Sequence, residues 1–152
     1  LIAYALRFVK NPEKAREVVQ EAFMKLCEKD RVAIEPYLAE WLYTVCRNKA
    51  IDMVRKDSRL TSLETVKKQV EDTVESAEDT YSTQEDGKKV MELLNALPEN
   101  QQEVVRLKFQ SGLSYAEISK VTGLSVTNVG FLIHAAMKKL KKAAVKKGGL
   151  KS

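Results

Sequence analysis

The sequence contains no apolar stretch that approaches the ~20 residues a membrane-crossing helix requires, which excludes a spanning segment. It has only two cysteines, Cys27 and Cys46, which form no C-x-x-C pair and have no His cluster near either, so a disulfide framework or a cysteine-based metal site is excluded. Both read as small buried hydrophobes. The single histidine, His134, has no Ser, Cys or Asp partner arrangement and no metal-ligand companion. With no paired carboxylates in a recognisable context and no phosphate-binding glycine loop, nothing supports an enzyme, and no cofactor or metal is expected. Alternating β-branched runs bounded by turn residues are also missing, so the expected fold is all-α. No charged-then-apolar leader stands at Leu1. The chain starts without Met on Leu1-Ile2-Ala3-Tyr4-Ala5-Leu6, which already reads as helix, so the N-terminus is expected to be trimmed.

What is present is charge, unevenly spread around a net +5. Between Gln69 and Asp86 stand seven acids and no Lys or Arg; from Lys138 to Ser152 stand seven lysines and no acid. A basic stretch after a helical motif suits phosphate neutralisation, because each neutralised phosphate releases a counterion. By itself it could equally be a solvated tail.

Helix signals organise the rest. Asn11-Pro12-Glu13 supplies a cap, a proline at the first helical position and an acid in the first turn. Ala15, Val18, Val19, Ala22, Phe23 and Leu26 then recur at helical spacing. After a polar loop from Glu28 to Glu35, Pro36 opens a run in which Leu38, Trp41, Leu42 and Val45 form one stripe, continuing through Ala50 and Val54. Its far end carries Arg47, Lys49, Arg55, Lys56 and Arg59. Periodicity weakens from Ser58 to Asp86, where Ser, Thr and acids dominate. Helix resumes with Val90, Leu93, Leu94 and Leu97, stops at Pro98, restarts through Val104, Val105 and Leu107, and halts at Gly112. The expected organisation is two small helical domains, 1–60 and 87–152, joined by a flexible acidic linker, 61–86.

The C-terminal domain holds the clearest motif. Ser114-Tyr115-Ala116-Glu117 fits a capping box. Ile118 and Val121 face inward, Gly123 ends the helix, Leu124 plugs the corner and Ser125 caps the next helix, which predicts a helix-turn-helix. In the second helix Val126, Val129, Ile133, Ala136 and Leu140 form an inner stripe. Thr127, Asn128, Gly130, Phe131, His134, Ala135 and Lys138 lie opposite, on the face that would enter a major groove. An ordinary pair of packed helices uses the same caps and glycine. The small Ala116, the turn glycine seven residues on, and a second helix flanked by lysines together favour DNA binding. Phe131 suits an apolar base contact, although single exposed aromatics need no explanation.

From Leu97-Pro98-Glu99 to Val129-Gly130-Phe131-Leu132-Ile133-His134-Ala135-Ala136, these residues resemble the C-terminal domain of extracytoplasmic-function sigma factors of bacterial RNA polymerase. The N-terminal half agrees: Gln20-Glu21-Ala22-Phe23 resembles the family's Q-E-x-F polymerase-binding helix. Trp41-Leu42-Tyr43 and the segment Arg47 to Arg55 resemble its W-L-Y and R-N-x-A-I-D-x-x-R patterns. The resemblance implies that Glu17, Gln20, Glu21 and Phe23 dock on core RNA polymerase. It places Asn48, Lys49, Asp52, Arg55, Lys56 and Arg59 at the minus-10 promoter element. Ser125, Thr127, Asn128, Gly130, Phe131, His134 and Lys138 would meet the minus-35 element. It further implies promoter DNA and an anti-sigma factor as partners, and a cytoplasmic location. On the bland readings, Trp41 is core and Asp52 pairs with Arg55 or Lys56. The sequence departs from the family at Gly130 and Ala135, where Arg or Lys is commoner; a mid-helix glycine would be retained more readily for close approach to DNA. Two rivals stay open: a sigma mimic that sequesters an anti-sigma factor, and a simple helix-turn-helix regulator.

Overall fold

The computed structural model describes residues 1–63 and 85–146, with side chains for 1–60 and 87–146. Among the described residues the only regular elements are helices, in two compact units, one before and one after residues 64–84. The greater part of the expected acidic linker lies outside the described residues.

The first unit packs α1 (Ile2–Val9), α2 (Pro12–Cys27) and α4 (Leu38–Leu63). Ala5, Ala15, Val18, Val19, Ala22, Leu42, Cys46 and Ala50 form its core, and Trp41, Val45, Leu26 and Met53 pack against it from the rim. Small residues predominate because the three helices approach closely, and larger side chains there would cost overpacking. Tyr4 stacks edge-on against both Phe8 and Tyr43, tying α1 to α4. Asn11 caps α2 through Oδ1, which accepts from the Glu13 and Lys14 backbone N–H groups at 2.9 and 3.2 Å.

Just before that cap, Lys10 closes α1 in the left-handed region, at φ 53°. A Cβ in that region is strained by roughly 1 kcal/mol, so Lys10→Gly is expected to stabilise the first unit by up to about that amount. Chemical denaturation checks it: an unchanged or lower midpoint contradicts the strain.

Three local differences from the sequence reading have physical causes. The polar loop contains a short helix, α3 (Arg31–Ile34), capped by Asp30, and a 3-10 turn over Glu35–Tyr37. Phe23 does not join the α2 stripe; it is 47% exposed, because the neighbouring helices cover only the arc through Val18, Val19 and Ala22. Cys46 is buried, and burial pushes its thiol pKa up, whereas Cys27 is exposed at the end of α2. In addition, α4 runs on to Leu63 and α5 begins at Glu85, so helix enters the expected linker from both sides.

The second unit comprises α5 (Glu85–Asn95), α6 (Glu99–Phe109), α7 (Tyr115–Thr122) and α8 (Val126–Lys146). Buried Leu94, Leu97, Val105 and Ala136 form one cluster. Leu107, Leu113, Ile118 and Val129 are also fully enclosed. Both α6 and α7 pack on α8. Contact with two helices widens the buried arc of α8 to Val129, Leu132, Ile133 and Ala136. Leu132 was not foreseen in that arc, and Val126, expected in the stripe, is 49% exposed in the first turn.

Candidate functional site

In the first unit the candidate residues occupy two neighbouring surfaces. Glu17, Gln20 and Phe23 are exposed along α2, and Met24 joins them. Met24 was missed because its polar neighbours mask it in the periodicity; its exposure extends the apolar part of this surface. Asn48, Asp52, Arg55 and Arg59 recur at spacings of four, three and four, which puts them on one exposed face of α4, with Lys56 beside them.

Glu21 and Lys49, expected on different surfaces, meet at the seam between α2 and α4: Lys49 Nζ donates to Glu21 Oε2 at 2.9 Å. Lys25 also approaches Glu21, at 3.5 Å. The hydrogen bond from Lys49 holds the Glu21 carboxyl below its usual range, and the same bond raises Lys49. A lowered carboxyl stabilises the fold above its unfolded pKa and loses that contribution as pH falls through the folded value. A raised amine does the reverse on the alkaline side. The pair is therefore intact throughout the neutral range. Lys14 and Asp57 form a second ion pair between the same helices. Trp41 is half-buried against the core, with the Lys29 ammonium 6.0 Å from its ring centroid.

In the second unit the turn is fully engaged with its own backbone. Ser114 and Glu117 complete the capping box, each bond at 3.1 Å. Gly123, at φ 78°, closes α7 by donating to the Ser119 carbonyl. This is one position where glycine's freedom is required. Thr122 Oγ1 donates to the Ile118 carbonyl and accepts from Leu124 N, while the Ser119 hydroxyl donates to the Leu124 carbonyl. Ser125 Oγ accepts from Asn128 N at 3.1 Å, which assigns the Ser125 hydroxyl oxygen to capping α8. These bonds fix the angle between the two helices.

The outer face of α8 presents exposed Thr127, Asn128, Phe131, His134 and Lys138. Phe131 is 68% exposed. Gly130 is half-buried: a Cβ built there would lie 3.5 Å from Tyr115 Cε2, an ordinary contact. The Tyr115 ring thus covers the position, and the Lys108 ammonium sits 5.1 Å from that ring's centroid. The contact being ordinary, packing within the unit leaves room for a Cβ at position 130, and close approach of a DNA backbone is still the expected reason for glycine there. Tyr115 carried no signal of this contact in the sequence beyond its place one residue after the cap. No helix among the described residues is long and apolar enough to cross a membrane, and those residues hold no cluster of three potential metal ligands.

Residues 1–60 match the family Sigma-70 region 2, and residues 87–140 match Sigma-70, region 4. The RNA polymerase sigma factor SigV of Bacillus subtilis is 27% identical over 135 residues, covering 88% of this chain and 78% of that protein. The ECF RNA polymerase sigma factor SigW of the same organism is 27% identical over 146 residues, covering 90% and 78%. Among solved structures, the sigma factor RpoE in complex with the anti-sigma factor NepR from Bartonella quintana shares the fold. Its TM-score is 0.64 at 23% identity, over 93% of this chain and 88% of that one. Two family regions in the expected order, each on its own helical unit, settle the assignment: the chain belongs to the extracytoplasmic-function sigma factors, non-enzymatic initiation factors that direct RNA polymerase to promoters.

Proposed function

We propose that the two units divide promoter recognition, residues 1–60 binding core RNA polymerase and the minus-10 element and residues 87–152 binding the minus-35 element. The observation that carries this is the separation of chemistries within the first unit. Gln20, Phe23 and Met24 expose apolar and amide surface on α2, whereas Asn48, Asp52, Arg55, Lys56 and Arg59 expose polar and cationic groups on α4. A protein partner suits the first surface, because exposed aromatic and Met side chains are enriched at interface cores. A nucleic-acid backbone suits the second. Exposed Tyr37, in the turn that leads into α4, offers a ring on which a base held out of the duplex can stack, which supports a part in strand opening.

Glu21 and Lys49 act in this scheme as a positioning pair across the α2–α4 seam. Lys49→Gln is expected to weaken core binding about two- to fivefold, the ratio for roughly 0.5–1 kcal/mol, and to leave the salt dependence of promoter binding unchanged. The reversed pair, Glu21→Lys with Lys49→Glu, should recover most of the loss. A smaller salt slope in Lys49→Gln instead would return Lys49 to phosphate contact.

The function is carried out in the cytoplasm, where the polymerase is. An anti-sigma factor that covers the exposed α2 surface would hold the protein inactive; the RpoE structure is itself a complex with an anti-sigma factor. Affinity capture with the full chain tests the reading. Core polymerase should be retained and the complex should support promoter-specific runoff transcription. Capture of an anti-sigma factor with neither core binding nor runoff would establish the mimic instead.

A further inference from the structure

The outer face of α8 lacks charge over a long span. From Val121 to Met137 there is no Lys, Arg, Asp or Glu, and cations resume at Lys138, Lys139, Lys141 and Lys142. Within that span the most exposed side chain is Phe131, and Val126 is half-exposed in the first turn. Along this face no guanidinium or ammonium precedes Lys138, so the first three turns of α8 carry no cation for the two-pronged guanine contact common in major grooves. The one apolar group that a base pair displays there is the thymine C5-methyl.

Resting on the assignment of this unit to the minus-35 element, we propose that Phe131 reads a thymine methyl in the major groove. The exposed Asn128 amide, three residues before Phe131 on the same surface, is suited to a neighbouring adenine. The flanking lysines supply sequence-independent grip on phosphate, and α8 contains no acid to oppose it. Charge complementarity therefore favours duplex DNA over a protein as the occupant of this apolar face.

The test uses holoenzyme assembled from the full chain and core polymerase, on promoter duplexes obtained by selection. Each thymine of the upstream element is replaced singly by deoxyuridine, which removes only the methyl. At one position binding should weaken about fourfold, the ratio expected for exposing one buried methyl-sized group. Phe131→Ala should bind thymine and uracil duplexes equally there, and 5-methylcytosine at that position should bind better than cytosine in the native chain only. Thermal melting of Phe131→Ala, unchanged for so exposed a residue, keeps folding out of the comparison. Equal binding of thymine and uracil at every position, with the upstream element still protected, overturns the methyl reading alone. Loss of upstream protection in the native complex overturns the assignment of the unit as well. A Phe131→Ala chain that binds promoter as tightly as the native chain gives the face to a protein occupant and also overturns the proposal.

Discussion

Phe23→Ala is expected to lower affinity for core RNA polymerase on the order of 30- to 1,000-fold, the range of an interface hot spot worth about 2–4 kcal/mol. The argument is one of unexplained exposure. Phe23 lies on α2 directly after buried Ala22, yet the residue is 47% exposed and joins no core cluster. The fold therefore has little use for it, and truncation should shift stability by no more than about 0.5 kcal/mol, as at ordinary surface positions. Gln20 on the preceding turn and Met24 beside it make a contiguous patch that a partner would desolvate. Titration of labelled protein with core polymerase measures the affinity, and denaturation of the isolated chain measures the stability. A native-like affinity would remove α2 from the polymerase interface. A fall in both would mean that Phe23 serves the fold.

The second large effect is expected at the other end of the chain. Lys138, Lys139, Lys141 and Lys142 are all exposed on α8, while Leu140 between them packs on the core. Changing the four to Gln keeps helix propensity and removes charge. If two to four of them sit on phosphates, the slope of log affinity against log salt should become shallower by about 2–4. Near 0.1 M salt, promoter binding by holoenzyme should weaken at least roughly a hundredfold. Binding at several salt concentrations gives both quantities. An unchanged slope would mean that these lysines form only a solvated tail. Sequence preference should survive the change, since phosphate contacts position the protein without specifying bases.

The parts of the fold legible in the sequence were those written in local chemistry. Asn11, Ser114, Gly123 and Ser125 announce helix ends because caps act within three or four residues, and each forms the bond its position implied. The all-helical class followed from periodicity for the same reason. What stayed hidden depends on distant neighbours. Whether Phe23 or Leu132 is buried turns on how many helices pack around α2 or α8, and a single helical wheel cannot say. Val126 has the right phase for the inner stripe but lies where the partner helices no longer cover it. Glu21 and Lys49 are 28 residues apart, and only the packing of α2 on α4 brings them to 2.9 Å. The α3 helix was missed because four residues give too little periodicity to detect, although Asp30 could have signalled its cap. At the candidate site, the Q-E-x-F and helix-turn-helix motifs are visible in the sequence because they are local, while the exposure of Met24 and the contact of Tyr115 with Gly130 required the structure.

The proposed division of promoter contacts between the two units predicts a promoter with two elements. In vitro transcription of a genomic fragment library by core polymerase, with and without the full chain, examines that claim directly. A discrete set of start sites should appear only when the chain is present, and the sequences upstream of them should share two motifs, one for each unit. Transcription no different from core polymerase alone, or start sites sharing a single motif, would contradict it.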